Sequence, residues 1–181
     1  MIILASQSPR RRELIKKITN DFVVIPSNVD ESLLHIEPSA LPGELSKLKA
    51  YSIFSMYPND TVLACDTVVI LKGELMGKPK SKEEAKQMLR KLSGNKHVVI
   101  SGYTFINKNK EVTRTVKTEV YFNKLSEDTI EKYVETGSPM DKAGAYGIQD
   151  KEFDLVNHIE GSYDNVIGLP VEDIKSHCFN D

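Results

Sequence analysis

The sequence predicts an α/β protein built on a mixed β-sheet. In the first half, apolar runs of strand length alternate with segments patterned as helices. In the second half, strand-like runs lie back to back around a polar turn, as hairpins do. The chain has 181 residues, 40% of them hydrophobic, enough to bury a core without disulfides or a structural metal.

The elements follow in order. Residues 2–5 form a short strand. Ser8 suits an N-cap and Pro9 a first helical position, so a helix runs from Pro9 to about Ile18. FVVIP (22–26) is a strand and SNVDES after it a polar loop. A second helix lies within 42–57. TVLACDTVVIL (61–71) is a long apolar run, hence a buried strand, and KGE (72–74) turns the chain. Ser81 and Glu84 form a capping box; Ala85, Met88, Leu89 and Leu92 follow one helical face, and Gly94 ends it. HVVISGYTFI and VTRTVKTEVYF flank NKNKE as a hairpin. Ser126 opens a helix that Gly137 closes. Two glycine-bearing turns, DKAGAYGIQD and EGSYDNVIGLP, surround a strand near 153–159, and a short helix closes the chain. There is no repeat and no Pro/Gly/Ser linker, so a single domain is expected over residues 1–181.

Composition narrows the function. Lys and Arg total 24 and Asp and Glu 26, a net charge of −2, which argues against a protein that coats nucleic acid. No signal peptide and no span-length apolar segment is read, and a reducing, cytoplasmic setting is expected. Cys65 and Cys178 have no metal-like spacing, and Cys65 lies in an apolar run as a core thiol. The histidines His35, His97, His158 and His177 show no ligand spacing either, and there is no GxSxG elbow.

The polar residues that resist a structural explanation are few. Arg10, Arg11 and Arg12 stand at the start of a helix, the end that carries partial positive charge and favours acidic residues. A bound anion would resolve that conflict, because the helix start offers backbone N–H groups and arginine grips phosphate bidentately. Asp66 lies inside an apolar strand, where a carboxylate needs a partner, a cation or a catalytic task. Asp30 and Glu31 follow a strand in a polar loop. GELMGKPK is not a P-loop: its glycine spacing is one residue short and Pro79 stands where Ser or Thr would hold magnesium, so Lys78 is not a Walker lysine. Taken alone, these residues suggest cations and hard oxygen ligands acting on a phosphate ester or anhydride, with Glu31 and Asp66 holding magnesium beside substrate phosphates.

Together, LASQSPRRREL, NVDE, LSKLKA, DTVV, GKP, LSGNKHVV, DKAGAYGIQ and GSYDNVIGLP occur in one order from residue 4 to residue 170. In that order they resemble the Maf family of nucleoside triphosphate pyrophosphatases. The resemblance implies a Maf/Ham1-like fold: a long curved mixed β-sheet with flanking helices and two lobes around a central cleft. It also implies hydrolysis of a nucleoside triphosphate to monophosphate and pyrophosphate with Mg2+ or Mn2+. Asp66 matches the family's proton acceptor. Ser8, Arg11, Glu31, Lys49 and Lys78 match its other polar pocket positions, with Glu31 and Asp66 as metal ligands. Arg10, Thr67 and Gln149 resemble the subgroup acting on dTTP and UTP rather than the one acting on 7-methyl-GTP. Arg12 and Ser101 depart from the common pattern without touching this chemistry. Whether Asp66 serves as base or as metal ligand stays open, and so does a homodimer; neither a nucleic-acid polymer nor a membrane is an expected partner. Two other readings remain. One is a regulatory nucleotide-binding protein, since the family is associated with inhibition of septum formation. The other is a haloacid-dehalogenase-type phosphatase, which CDTVV faintly suggests although Val68 replaces the second Asp of that signature.

Overall fold

The computed structural model describes residues 1–31 and 35–179. It is α/β, with a seven-stranded mixed sheet in the order β2-β1-β3-β5-β6-β7, and β4 paired to β3. The strands are β1 (Ile2–Leu4), β2 (Phe22–Val24), β3 (Thr61–Leu71), β4 (Glu74–Met76), β5 (Lys96–Asn107), β6 (Lys110–Phe122) and β7 (Val156–Glu160). The helices are α1 (Pro9–Ile15), α2 (Leu41–Phe54), α3 (Lys82–Leu92), α4 (Glu127–Glu135), α5 (Tyr163–Ile167) and α6 (Val171–Ile174). β1 runs parallel to both β2 and β3, whereas β4 on β3 and β7 on β6 are antiparallel.

The chain divides into two units. The first comprises Met1–Thr67, Ile100–Val116 and Asp164–Asp181; the second comprises Val68–Val99 and Lys117–Tyr163.

In the first unit, strand alternation sorts the core into two layers. Ile2, Leu4, Leu63, Cys65, Tyr103 and Phe105 pack with Leu14 and Ile15 of α1 and with Leu169, Val171 and Ile174. Ile3, Ala5, Val62, Ala64 and Ile106 pack with Ala50 and Ile53 of α2. Both faces are covered, which is why β1 and the start of β3 read as unbroken apolar runs. Gly102 sits where β5 meets the start of α2. A Cβ there would lie 2.3 Å from the Gly43 nitrogen and the Pro42 carbonyl carbon, so only glycine fits.

In the second unit, α3 and α4 bury Ala85, Leu89 and Leu92, and Ile130, Tyr133 and Val134. Ser81 and Ser126 cap them as their sequences predict, accepting from the amides of Glu84 and Thr129.

Two local readings need correction, and one short strand was not foreseen. α1 ends at Ile15 rather than Ile18, because the amides of Lys17 and Ile18 bond three residues back and tighten into a turn. KGE turns the chain as expected, a two-residue hairpin with Lys72 at φ 51° and Gly73 at φ 83°, but it launches β4, a three-residue strand too short to show a pattern and not foreseen. The late strand runs over Val156–Glu160, somewhat further along than predicted. Ser32, which closes the NVDES loop, lies outside the described residues.

Candidate active site

β3 carries the central residues, and its pleat decides where each points. Successive side chains on a strand face opposite ways. Asp66 therefore follows Val62 and Ala64 toward α2, and Thr67 follows Leu63 and Cys65 toward α1. β1 pairs with β3 only as far as Leu4 opposite Leu63, so Asp66 and Thr67 lie just past the end of β1. In open α/β sheets, ligands gather where parallel strands end in this sense.

On the α2 side, Lys49 precedes the buried Ala50 by one residue and Ile53 by one helical turn, so its stem lies along the sheet face. Its ammonium donates to Asp66 Oδ1 at 3.0 Å and lies 3.0 Å from Glu31 Oε1. Lys49 and Asp66 are 15% and 13% exposed, while Glu31 is 50% exposed, so the ammonium bridges a sheltered carboxylate to one that faces water. This contact supplies the partner that a carboxylate in an apolar strand requires.

On the α1 side, the Ser8 hydroxyl accepts from the Arg11 amide at 3.2 Å, and the Ser6 hydroxyl accepts from the Ser8 amide at 3.1 Å. The Arg11 guanidinium turns back onto the protein. Nε donates to the Gly168 carbonyl at 2.7 Å and Nη2 to Thr67 Oγ1 at 3.1 Å. Thr67 Oγ1 also pairs with Ser101 Oγ at 2.7 Å, whose own contact is the Asn165 carbonyl at 3.3 Å. Two of the Arg11 donors thus hold Gly168, just past the end of α5, and Thr67, leaving Nη1 for a ligand. Gly168 stands at φ 138°, a conformation that suits glycine. Cys65 donates its weak S–H to the same carbonyl at 3.4 Å, and burial pushes the thiol's pKa up, so it stays neutral and unreactive. Arg10 is half-buried in the first turn of α1.

Apart from Arg10, the sequence-identified residues fall into three groups. Glu31, Lys49 and Asp66 meet directly. Ser8, Arg11 and Thr67 meet on the other face of the same strand. Lys78 and Gln149 belong to the second unit, where both are exposed. There, the Gly144 amide donates to the Gly77 carbonyl at 3.1 Å, tying the GKP loop to the turn that carries Gln149.

Sequence reasoning missed what surrounds that turn. Asp150 Oδ2 accepts from Tyr133 and from Ser138, each at 2.6 Å. The Tyr133 oxygen accepts from the Gly147 amide at 2.9 Å. Lys142 donates to the Ser138 carbonyl at 2.6 Å. The buried Tyr146 meets His97 Nε2 at 2.6 Å, and burial lowers the His97 pKa to about 4. One signal was available for Tyr133: it lies on the apolar face of α4, and a buried phenol needs a partner. Ser138, Lys142 and Asp150 carry no such signal.

As to a metal, Glu31 and Asp66 each place an oxygen 3.0 Å from one cationic nitrogen, so the pair converges on a single positive centre. No cluster of three or more His, Cys, Asp or Glu able to hold a metal occurs among the described residues. Two carboxylates suit a cation that draws its other ligands from phosphate and water, as magnesium does, and do not make a closed protein cage. No helix among the described residues is long and apolar enough to cross a membrane.

Comparison with known proteins agrees with the order of motifs. Residues 1–178 match the family described as Maf-like protein. A dTTP/UTP pyrophosphatase of Pyrococcus abyssi is 49% identical over 172 residues, covering 95% of this chain and 91% of that one. A protein of the same description from Thermosipho africanus is 49% identical over 173 residues, covering 96% and 89%. Among solved structures, the Staphylococcus aureus Ham1 protein aligns with a TM-score of 0.46 and 21% identity over 70% of this chain and 72% of its own. By the match along nearly its whole length and the identity to these relatives, the chain belongs to the Maf-like protein family.

Proposed function

We propose that this protein is a cytoplasmic, metal-dependent pyrophosphatase that hydrolyses dTTP and UTP to the monophosphate and pyrophosphate. The observation that supports it most is Lys49 held at 3.0 Å between Glu31 and Asp66, at the end of β1, in a chain 49% identical to relatives described as dTTP/UTP pyrophosphatases.

In this reading Asp66 orients and deprotonates the water that attacks the α-phosphorus. Lys49 holds the Asp66 carboxylate in place, and the pleat aims it away from the packed α1 layer. Glu31 and Asp66 would hold Mg2+ or Mn2+, which when bound would neutralise phosphate charge. Lys49 offsets the charge that builds on the departing pyrophosphate, and Nη1 of Arg11 reaches the same oxygens; Lys78 is a further cation suited to phosphate. Catalysis of this kind is mostly positioning and electrostatic stabilisation, which needs fixed cations more than reactive side chains. Ser8 fixes the first turn of α1 and so the Arg10–Arg11 pair. Gln149 reads the base: an amide donates to a pyrimidine carbonyl and accepts from its ring N–H. A site that hydrogen-bonds one group rejects analogues lacking it, because its own polar atoms are then left unpaired. Arg10 and Thr67 set the depth at which the nucleotide sits.

The test is turnover of a nucleotide panel with magnesium, with and without chelator, and products separated by chromatography. Monophosphate and pyrophosphate from dTTP and UTP, well ahead of ATP and GTP, are expected. Diphosphate and orthophosphate as primary products would overturn the reaction assigned. Tight binding without turnover would favour a regulatory nucleotide-binding protein instead.

A further inference from the structure

The turn that carries Gln149 is held in a conformation its own residues disfavour. Ala145 has φ 63°, in the left-handed region that residues with a Cβ avoid, and it is fully buried. Gly144 beside it has φ 75°. A Cβ on Gly147 would lie 2.9 Å from Lys142 Cε and 3.0 Å from Gln149 Oε1, so the turn closes on itself with the Gln149 amide laid against the Gly147 backbone. Such a shape persists only when something outside it imposes it.

That support is the hydrogen-bonded chain around Asp150. The Tyr133 hydroxyl, from α4, accepts from the Gly147 amide at 2.9 Å and donates to Asp150 Oδ2 at 2.6 Å. Ser138 donates to the same oxygen at 2.6 Å, and Lys142 donates to the Ser138 carbonyl at 2.6 Å and to its hydroxyl at 3.1 Å. Both ends of the turn, Lys142 and Asp150, are thereby joined through Ser138, and its middle is pinned through Gly147. Tyr133 is fully buried, with its ring tilted against Phe153 at 4.9 Å, so the hydroxyl has one place to point. The same turn holds the GKP loop, through the 3.1 Å bond from the Gly144 amide to the Gly77 carbonyl, one residue before Lys78.

We propose that Tyr133 and Asp150 are positioning residues for nucleotide selectivity. They fix the 142–150 turn so that Gln149, and through Gly77 the backbone at Lys78, are presented in one geometry. The inference rests on the reading of Gln149 as the residue that reads the base.

Tyr133→Phe removes the hydroxyl and leaves the ring in its slot; Asp150→Ala removes the shared acceptor at a half-buried position. Gln149→Ala and the Tyr133→Phe/Gln149→Ala double variant complete the set. The readout is the ratio of kcat/KM for dTTP to kcat/KM for ATP, which a mere loss of folded enzyme does not change. A second readout is hydrogen exchange at the Gly147 amide. Tyr133→Phe and Asp150→Ala are each expected to lower the ratio about tenfold, the worth of one hydrogen bond in a site that depends on it. The double variant is expected to lose no more than Gln149→Ala alone, because the two act through one group. Exchange at Gly147 should rise at least tenfold in Tyr133→Phe. If Gln149→Ala collapses the ratio while Tyr133→Phe and Asp150→Ala keep it within twofold, the positioning role is overturned and the reading of Gln149 stands. If Gln149→Ala itself leaves the ratio unchanged, that reading fails and the selectivity role of the clamp falls with it.

Discussion

His97 offers a prediction whose size follows from its surroundings. The imidazole is 1% exposed, packed edge-on against the rings of Phe122 and Tyr146, and Nδ1 has no hydrogen-bond partner among the described residues. Burial lowers its pKa from 6.5 to about 4. The unfolded chain exposes the ring to water and binds its proton near pH 6.5; the folded chain does not until about pH 4. Within that window the unfolded state holds more protons, so stability falls as pH falls. The steepest loss is about 1.4 kcal/mol per pH unit, one proton's worth. From 6.5 down to about 4 the total is about 3 kcal/mol, a large share of the roughly 5–15 kcal/mol that holds a domain together. The stability is fully present above pH 6.5 and exhausted near pH 4. The perturbation is His97→Gln, whose amide can still meet the Tyr146 hydroxyl but cannot titrate. The assay is urea unfolding followed by circular dichroism at pH values from 7.5 to 4, with free energies extrapolated to zero denaturant. The variant starts less stable but is expected to lose about 3 kcal/mol less than wild type on acidification. Carboxylates titrate in both proteins and cancel in the difference. Parallel curves for the two proteins would refute the claim that His97 is held neutral by burial.

Other changes should report on the site. Asp66→Asn keeps the shape of the side chain but neither takes a proton nor binds a hard cation well; turnover should fall about 100- to 10,000-fold with the circular dichroism spectrum unchanged, and activity within a few-fold of wild type would remove Asp66 from the mechanism. Arg11→Lys cannot span both the Gly168 carbonyl and Thr67, so a loss of about 2 kcal/mol in urea unfolding is expected, with a rise in KM for dTTP; an unchanged midpoint would mean these two bonds do not hold Gly168 and Thr67 in place. Gly102→Ala forces a methyl group to 2.3 Å from backbone atoms of Pro42 and Gly43, and calorimetry should show destabilisation of about 3 kcal/mol or more; a shift under about 1 kcal/mol would mean that α2 can yield.

Much of the protein is written locally. The long buried strand over Thr61–Leu71, the capped helices after Ser81 and Ser126, and the hairpin between Lys96 and Phe122 all follow from periodicity and end signals that neighbouring residues carry themselves. Asp66 also announced itself, because a carboxylate in an apolar run is anomalous whatever the fold. So did the arginines at the start of α1, although what Arg11 does there was not legible. Its partner Gly168 is 157 residues away, and no local pattern encodes that meeting. The same holds for Lys49: its sequence neighbours show a helical lysine, and only the packing of α2 on one face of β3 brings its ammonium to Asp66 and Glu31. β4 escaped because three residues hold too little pattern, and Ser138 and Asp150, which meet Tyr133 of α4, escaped because a hydroxyl and a carboxylate outside regular helix and strand look alike whether they face water or each other. The sequence alone determined where the longer strands and helices lie and which side chains are out of place, since those depend on residues a few positions apart. Tertiary structure decided which polar groups pair, because a hydrogen bond depends on ångström-scale distances between segments that the chain brings together only when the core closes.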